Sequence, residues 1–310
     1  MITEGYLVKI GLEASDIDFI MQLNKKHMAD VEMLVSEYIA GLKIKPFVPY
    51  EGNEWELSNE RTKAFIKRVQ DMMPEENKYS AALVAWVNCV PYLYDIYKRY
   101  NIDENVFYES INDFSYKVNE CKNLYGVCGV FTNWFFSFFD LKLFSLGRLQ
   151  YQPFGFEYDN YTCGDVNIIK NDVVYYCHIP SGGKLTIEMC MESFHKAYEF
   201  FRPKIFGDVI PIICSSWLLY KPYVECVFPQ QSNMLKFAEL FDIIDSISND
   251  KDFKPCWRVF NKRFDGTTNG LPADNTLRRN FIKYINDGGD FGTGYGVALY
   301  DGKKRKIINL

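Results

Sequence analysis

Hydrophobic positions along the chain follow two different periods. Up to about residue 125 they recur every three to four residues, the spacing of one face of a helix. Ser15 and Asp16 can cap a helix running to Ala40, with Gly41 as its stop and Pro46 and Pro49 beyond. Glu54 to Met73 forms a second such segment, ending before Pro74. Lys78 to Tyr100 is a third, strongly apolar, with Pro91 as a predicted kink. Asp103 to Cys121 is a fourth. Gly126 and Gly129 then loosen the chain before a further helix over Phe131 to Leu143.

After that the period shortens. Leu149 to Tyr158 reads as a strand, and Asp159 to Gly164 as a turn. Asp172 to Ile179 is an apolar and aromatic run of strand length, broken by Pro180-Ser-Gly-Gly-Lys-Leu185. Thr186 opens a helix whose stripe is Ile187, Cys190, Met191, Phe194, Ala197, Tyr198 and Phe201. A further apolar run, Val209 to Cys214, follows. Strand, helix, strand predicts a right-handed βαβ unit, with ligands bound beyond the carboxyl ends of its strands. Helices over Ser232 to Ile247 and Thr276 to Asn286, and strands over Cys256 to Phe260 and Tyr295 to Tyr300, complete the pattern. The expected fold class is α+β: an all-helical domain over 1–125, then a mixed sheet flanked by helices over 126–310. The change of character falls between residues 121 and 147. A length of 310 residues suits two domains.

Composition narrows the function classes. Aromatic residues make up 17 % of the chain, an excess expected of large cores and helix packing. A sugar-binding module would want a repeated pattern of exposed Trp or Tyr, and none is visible. Net charge is −5 without a basic patch, which argues against nucleic acid as a partner. Lys303 to Lys306 reads as a solvated end. The most hydrophobic stretch, Val127 to Leu146, carries Asn133, Asp140 and Lys142, so it predicts a buried helix and no membrane span. The nine cysteines form no C-x-x-C pair, and Met1-Ile-Thr-Glu-Gly-Tyr lacks the features of a secretory leader. A reduced, cytoplasmic protein is expected. Of the three histidines, His27, His178 and His195, none stands at ligand spacing from another, so no metal site is expected.

Five segments carry a resemblance to a known family: Leu146-Gly-Arg-Leu-Gln150, His178-Ile-Pro-Ser-Gly-Gly-Lys-Leu185, Ser216-Trp-Leu-Leu219, Phe228-Pro-Gln-Gln-Ser-Asn233, and Leu271-Pro through Gly289. In this order, and over most of 127–300, the chain resembles the bacterial GNAT-like acyltransferase-domain family. There a helical N-terminal domain precedes a GNAT-like C-terminal domain. The first 125 residues resemble the family's helical domain in character only. The resemblance implies an N-acyltransferase that passes an acyl group from acyl-CoA, or an acyl-carrier thioester, to an amine of a small acceptor. The alternative is a non-catalytic GNAT-like ligand-binding or sensing protein.

Such chemistry needs backbone amides for the diphosphate of CoA, a base for the amine, and an acid for the leaving thiolate. The amide cradle implied by the resemblance is Ser181, Gly182, Gly183 and Lys184, leading into the helix capped by Thr186, with Asn233 at a second helix start. Glycine lets a ligand approach closely, and a helix N-terminus favours an anion. A capped turn without a ligand is the alternative, and Glu188 in the first turn would repel a diphosphate. The usual GNAT diphosphate pattern, an Arg or Gln before G-x-G or G-x-A, is absent. His178 is a candidate base, or else a strand histidine satisfied by backbone. Glu157 is a second candidate base, or an exposed strand-end carboxylate. The family's tyrosine acid is absent, its place being taken by Leu240 or Phe241, so Ser232, Ser216 or Tyr223 would have to replace it. Ser232 is otherwise an N-cap. Arg148 and Gln150 are candidates for holding substrate, Arg148 through its planar fork or else an ion pair. Trp217 is a candidate too, or core packing.

Overall fold

Apolar stripes in the first half become helices because each buries its stripe against a neighbour. The computed structural model describes residues 2–205, 207–248, 253 and 255–310. Two compact units divide it: residues up to Leu146 with Pro180–Gly182, and Gly147–Ile179 with Gly183–Leu310.

The first unit contains α1 (Glu4–Lys9), α2 (Ala14–Ala40), α3 (Glu54–Met72), α4 (Lys78–Arg99), α5 (Glu104–Ile111), α6 (Asp113–Tyr125), a single turn α7 (Phe136–Phe139) and the short strand β1 (Phe144–Leu146). Helix α4 is the centre of this core, with every residue from Ser80 to Val90 buried. Asn77 starts it by accepting from the Tyr79 amide at 2.9 Å, and the helix continues through Pro91. Trp86 lies 5.5 Å from Phe135 and 5.6 Å from Phe139, ring to ring.

The segment 126–146, expected to begin the second domain, is part of this first unit. Its aromatic side chains draw it there: Phe135 stacks on Phe114 at 4.1 Å. The helix expected over 131–143 is cut to one turn. Leu141 adopts φ 53°, a left-handed conformation that a helix cannot contain. Asp140 and Lys142 are buried but partnered. Asp140 meets Arg61 at 3.2 Å and accepts from Tyr50 at 3.0 Å, while Lys142 donates to the Pro49 carbonyl at 3.1 Å. The helix expected from Asp103 to Cys121 is two helices, α5 and α6, which meet at Asn112.

The second unit contains β2 (Leu149–Gly155), β3 (Asn160–Cys163), β4 (Val166–Ile169), β5 (Val173–His178), α8 (Ile187–Phe201), β6 (Val209–Ser216), α9 (Lys221–Cys226), α10 (Asn233–Ala238), β7 (Asp242–Ser248), α11 (Cys256–Phe260), α12 (Thr276–Asn286), β8 (Gly292–Asp301) and β9 (Lys306–Ile307). Strands run β2-β5-β6-β8-β7 across the sheet, with β9 also on β8. The β5/β6 pair is parallel, joined through α8 as the βαβ reading expects; the other pairs are antiparallel. Helix α8 covers one face, where Tyr175 meets Phe201 at 4.3 Å. The β3–β4 hairpin closes over the other, around Phe156, Tyr161, Ile168, Val174, Ile213, Tyr295, Val297 and Leu299.

Three local expectations are corrected here. The turn expected over 159–164 contains β3, the first strand of that hairpin. The helix expected from Ser232 to Ile247 stops at Ala238, and β7 begins at Asp242. Its β-branched residues Ile243 and Ile247 find pairing partners on β8. The strand expected at 256–260 is the short helix α11, a five-residue run, apolar but for Arg258, too short for its period to separate the two states.

Candidate active site

Strands β5 and β6 pair at only two positions, Tyr175↔Ile212 and Tyr176↔Ile213. Strand β6 meanwhile stays paired to β8 along its whole length, from Val209 to Ser216. The two parallel strands therefore part beyond Tyr176, in the middle of the sheet. The Tyr176 hydroxyl reaches across and donates to the Ser215 carbonyl at 2.9 Å.

A row of polar side chains crosses the sheet at this level. Gln150 on β2 is the register partner of His178 on β5, and Ser215 on β6 that of Tyr295 on β8. His178 and Ser215 each stand two residues past the last β5/β6 pair, Tyr176↔Ile213, one on either side of the opening. Side chains alternate along a strand, so all four share a face with Tyr176, away from α8. The His178 and Tyr176 rings lie 4.6 Å apart.

The electrostatics of the row are those of a dry site. Burial lowers the His178 pKa to about 4, so its imidazole is neutral at neutral pH. Burial, followed by the charge of Glu157, raises the Tyr295 pKa, which keeps its hydroxyl protonated. That hydroxyl and the amide oxygen of Gln150 are buried and have no hydrogen-bond partner among the described residues. Buried polar atoms left unmatched cost stability, and a site that needs them for a ligand is one reason to find them.

Other residues singled out in the sequence fall around this row or apart from it. Glu157 is exposed, just beyond β2. Thr186 caps α8, accepting from the Met189 amide at 3.3 Å, and Ser232 caps α10, accepting from the Leu235 amide at 3.2 Å. Asn233 is the first residue of α10. The Arg148 Nε donates to the Lys184 carbonyl at 2.8 Å. Trp217 begins a 3₁₀ turn after β6, its ring 5.9 Å from Phe228 and 6.1 Å from Phe281.

The glycine turn is not uniform. The Ser181 hydroxyl donates to the Glu120 carboxylate, itself paired with buried Lys117 at 2.9 Å. Gly182 lies under the Tyr116 ring, where an added Cβ would come within 2.1 Å of ring carbon. Gly183 has φ 69° and open space where a Cβ would stand. Tyr176, Ser215 and Tyr295 were not singled out in the sequence. Tyr295 was visible only as the first residue of an expected strand, and the register that aligns it with His178 is not a local signal.

A helical unit followed by a mixed sheet with parted central strands is the layout of a GNAT-type transferase. Comparison with known proteins agrees. Residues 15–141 match the N-acyltransferase N-terminal domain, and residues 143–298 match the GNAT-like C-terminal domain. The chain belongs to this GNAT-like acyltransferase family. Among solved structures, an acyltransferase in complex with decanoyl-CoA is 20 % identical with a TM-score of 0.62, over 94 % of this chain and 86 % of the other. An acyltransferase in complex with CoA and 10C-teicoplanin is 20 % identical with a TM-score of 0.60, over 96 % of this chain and 99 % of the other. At this identity the likeness concerns the fold. No curated protein matches the chain. Among the described residues, no helix is long and apolar enough to cross a membrane.

Proposed function

We propose that this protein is an acyl-CoA-dependent N-acyltransferase acting on an amine of a small acceptor. The observation that carries the reading is the polar row Gln150–His178–Ser215–Tyr295 at the level where β5 and β6 part. Solved acyltransferases of this fold hold decanoyl-CoA or CoA, which supports acyl-CoA as the donor.

In this reading the thioester carbonyl lies at the parted strands. The amine nitrogen attacks the carbonyl carbon, a C–N bond forms, and the C–S bond breaks. Neutral His178 takes the amine proton, with Glu157 as the alternative base. The protonated Tyr295 hydroxyl donates to the oxygen that becomes negative, and the Gln150 amide oxygen accepts an N–H of the acceptor. The thiolate then gains a proton, for which Ser232 is the candidate inherited from the sequence. Gly183, Lys184, Thr186 and the first amides of α8 suit the CoA diphosphate, with Ser181, Gly182 and Asn233 as the outer candidates. Arg148 orients Lys184 through its carbonyl, and Arg148 and Trp217 remain candidates for substrate contact.

A non-catalytic, ligand-sensing role is the second reading. It is favoured by the Ser181–Glu120 bond and the Tyr116 ring over Gly182, which occupy part of the turn. One pair of measurements separates the two. Thermal shift with CoA, acetyl-CoA and decanoyl-CoA reads binding; at 100 times Kd a ligand adds about 2.7 kcal/mol. Thiol release from the same thioesters in the presence of an amine panel reads transfer. Binding with release supports the enzyme, binding without release supports the sensor, and neither would overturn both.

A further inference from the structure

His27, on α2 of the first unit, follows the buried face formed by Leu23, Asn24, Val31 and Leu34. Its side chain is only 10 % exposed, and its Nε2 has no hydrogen-bond partner among the described residues. That nitrogen faces the turn between α3 and α4, 3.6 Å from a carboxylate oxygen of Glu75 and 3.6 Å from one of Glu76. One donor atom from each of the three residues lies within 4.8 Å of the others. The Lys26 ammonium sits 2.8 Å from both carboxylates. Two adjacent carboxylates facing a buried imidazole thus already hold one cation, on a side chain that is 52 % exposed.

We propose that His27, Glu75 and Glu76 form a binding site for a zinc-type divalent cation, which clamps α2 to the α3–α4 turn. One imidazole with two carboxylates is a donor set that suits zinc, with water as a fourth ligand. Bonds of about 2.1 Å in a tetrahedron set ligands about 3.4 Å apart. The two observed separations of 3.6 Å from His27 need only a small closure, and the carboxylates, within 4.8 Å of each other, close by a turn of their side chains. Lys26 neutralises the carboxylates when no metal is bound and swings into water when one is. Its charge opposes the incoming ion, so Lys26 sets the affinity rather than supplying a ligand. The expectation of no metal site rested on the spacing between histidines. A site with one histidine and two distant glutamates has no such spacing.

The test is titration of the full chain with zinc against a colorimetric chelator, with cobalt(II) absorption as a second readout. One zinc per chain is expected. The double substitution Glu75→Gln/Glu76→Gln and the single His27→Ala should each weaken binding at least tenfold. Lys26→Met should tighten it, and zinc should raise the Tm of the unsubstituted chain but not of the double variant. If His27→Ala does not fold, the glutamine pair carries the test. A thiolate charge-transfer band with cobalt would assign the metal to cysteines and overturn the proposal. So would the absence of stoichiometric zinc, or affinity unchanged in the double variant.

Discussion

Gln150 stands directly opposite His178 in the antiparallel register of β2 and β5, and the two share a face of the sheet. Their pairing puts a buried amide oxygen beside an imidazole that burial holds neutral, with a pKa of about 4. A base must be deprotonated to act, so His178 itself should limit activity only as pH drops through its pKa. Once the titration of the substrate amine is divided out of the kcat/KM profile, the enzyme's acid limb is expected near 4, well below the 6.5 of a free histidine. His178→Ala should lower kcat/KM by about 10² to 10⁴. A pH–rate profile for the wild type and the variant reads both. Full activity in His178→Ala would pass the role to Glu157.

The same shift couples His178 to stability. In the unfolded chain this histidine titrates near 6.5, whereas in the fold it resists protonation down to about 4. Between those values the unfolded state binds more protons, so stability is full above about 6.5 and declines as pH falls towards 4. Urea unfolding at pH 7.5, 6 and 5 should show the decline. His178→Gln, which cannot titrate, should flatten it.

Tyr295 separates stability from function. Its buried hydroxyl has no partner among the described residues, so Tyr295→Phe removes no internal hydrogen bond. Stability should stay within about 0.5 kcal/mol of wild type or rise. If the hydroxyl serves the developing oxyanion, kcat should fall by about 10² while KM changes little. Unfolding and steady-state kinetics on one preparation decide it. A variant with unchanged kcat leaves Tyr295 as a core residue.

Local signals were readable, and non-local ones were not. Helix α8 could be seen because Thr186 caps an unbroken apolar stripe, and α12 because its span, Thr276 to Asn286, is closed by Gly288 and Gly289. The strand of the βαβ unit was marked by its own run of aromatics and the glycine turn. Helical expectation overran at Ala238 because an apolar period continues into Ile243 and Ile247, and only the β8 partner makes them a strand. The charges of Asp140 and Lys142 marked 127–146 as a buried segment and no membrane span, but their partners, Arg61, Tyr50 and Pro49, lie far back in the chain and leave no local signal. His178 could be proposed from its place at a strand end. The row through Gln150, Ser215 and Tyr295 depends on three strand registers, which no single stretch encodes.

Gly182 and Gly183 are neighbours held as glycine for different reasons, and that difference tests the diphosphate cradle. At Gly182 an added methyl would strike the Tyr116 ring at 2.1 Å, so Gly182→Ala must displace a packed side chain. A loss of about 1–3 kcal/mol is expected, as for other overpacked positions. At Gly183 the space is open and only the backbone objects: φ 69° is left-handed. Gly183→Ala should cost about 1–2 kcal/mol, and Gly183→Asn less, because Asn tolerates that conformation. The Cβ of either Gly183 variant has no neighbour within 4 Å, so any larger effect on CoA binding would come from crowding the ligand. If the diphosphate sits on the amides from Gly183 onward, Gly183→Asn should raise the Kd for CoA by tenfold or more while Tm barely moves. Calorimetric titration with CoA, set beside Tm, makes the distinction. Unchanged CoA affinity in Gly183→Asn would move the diphosphate away from this turn.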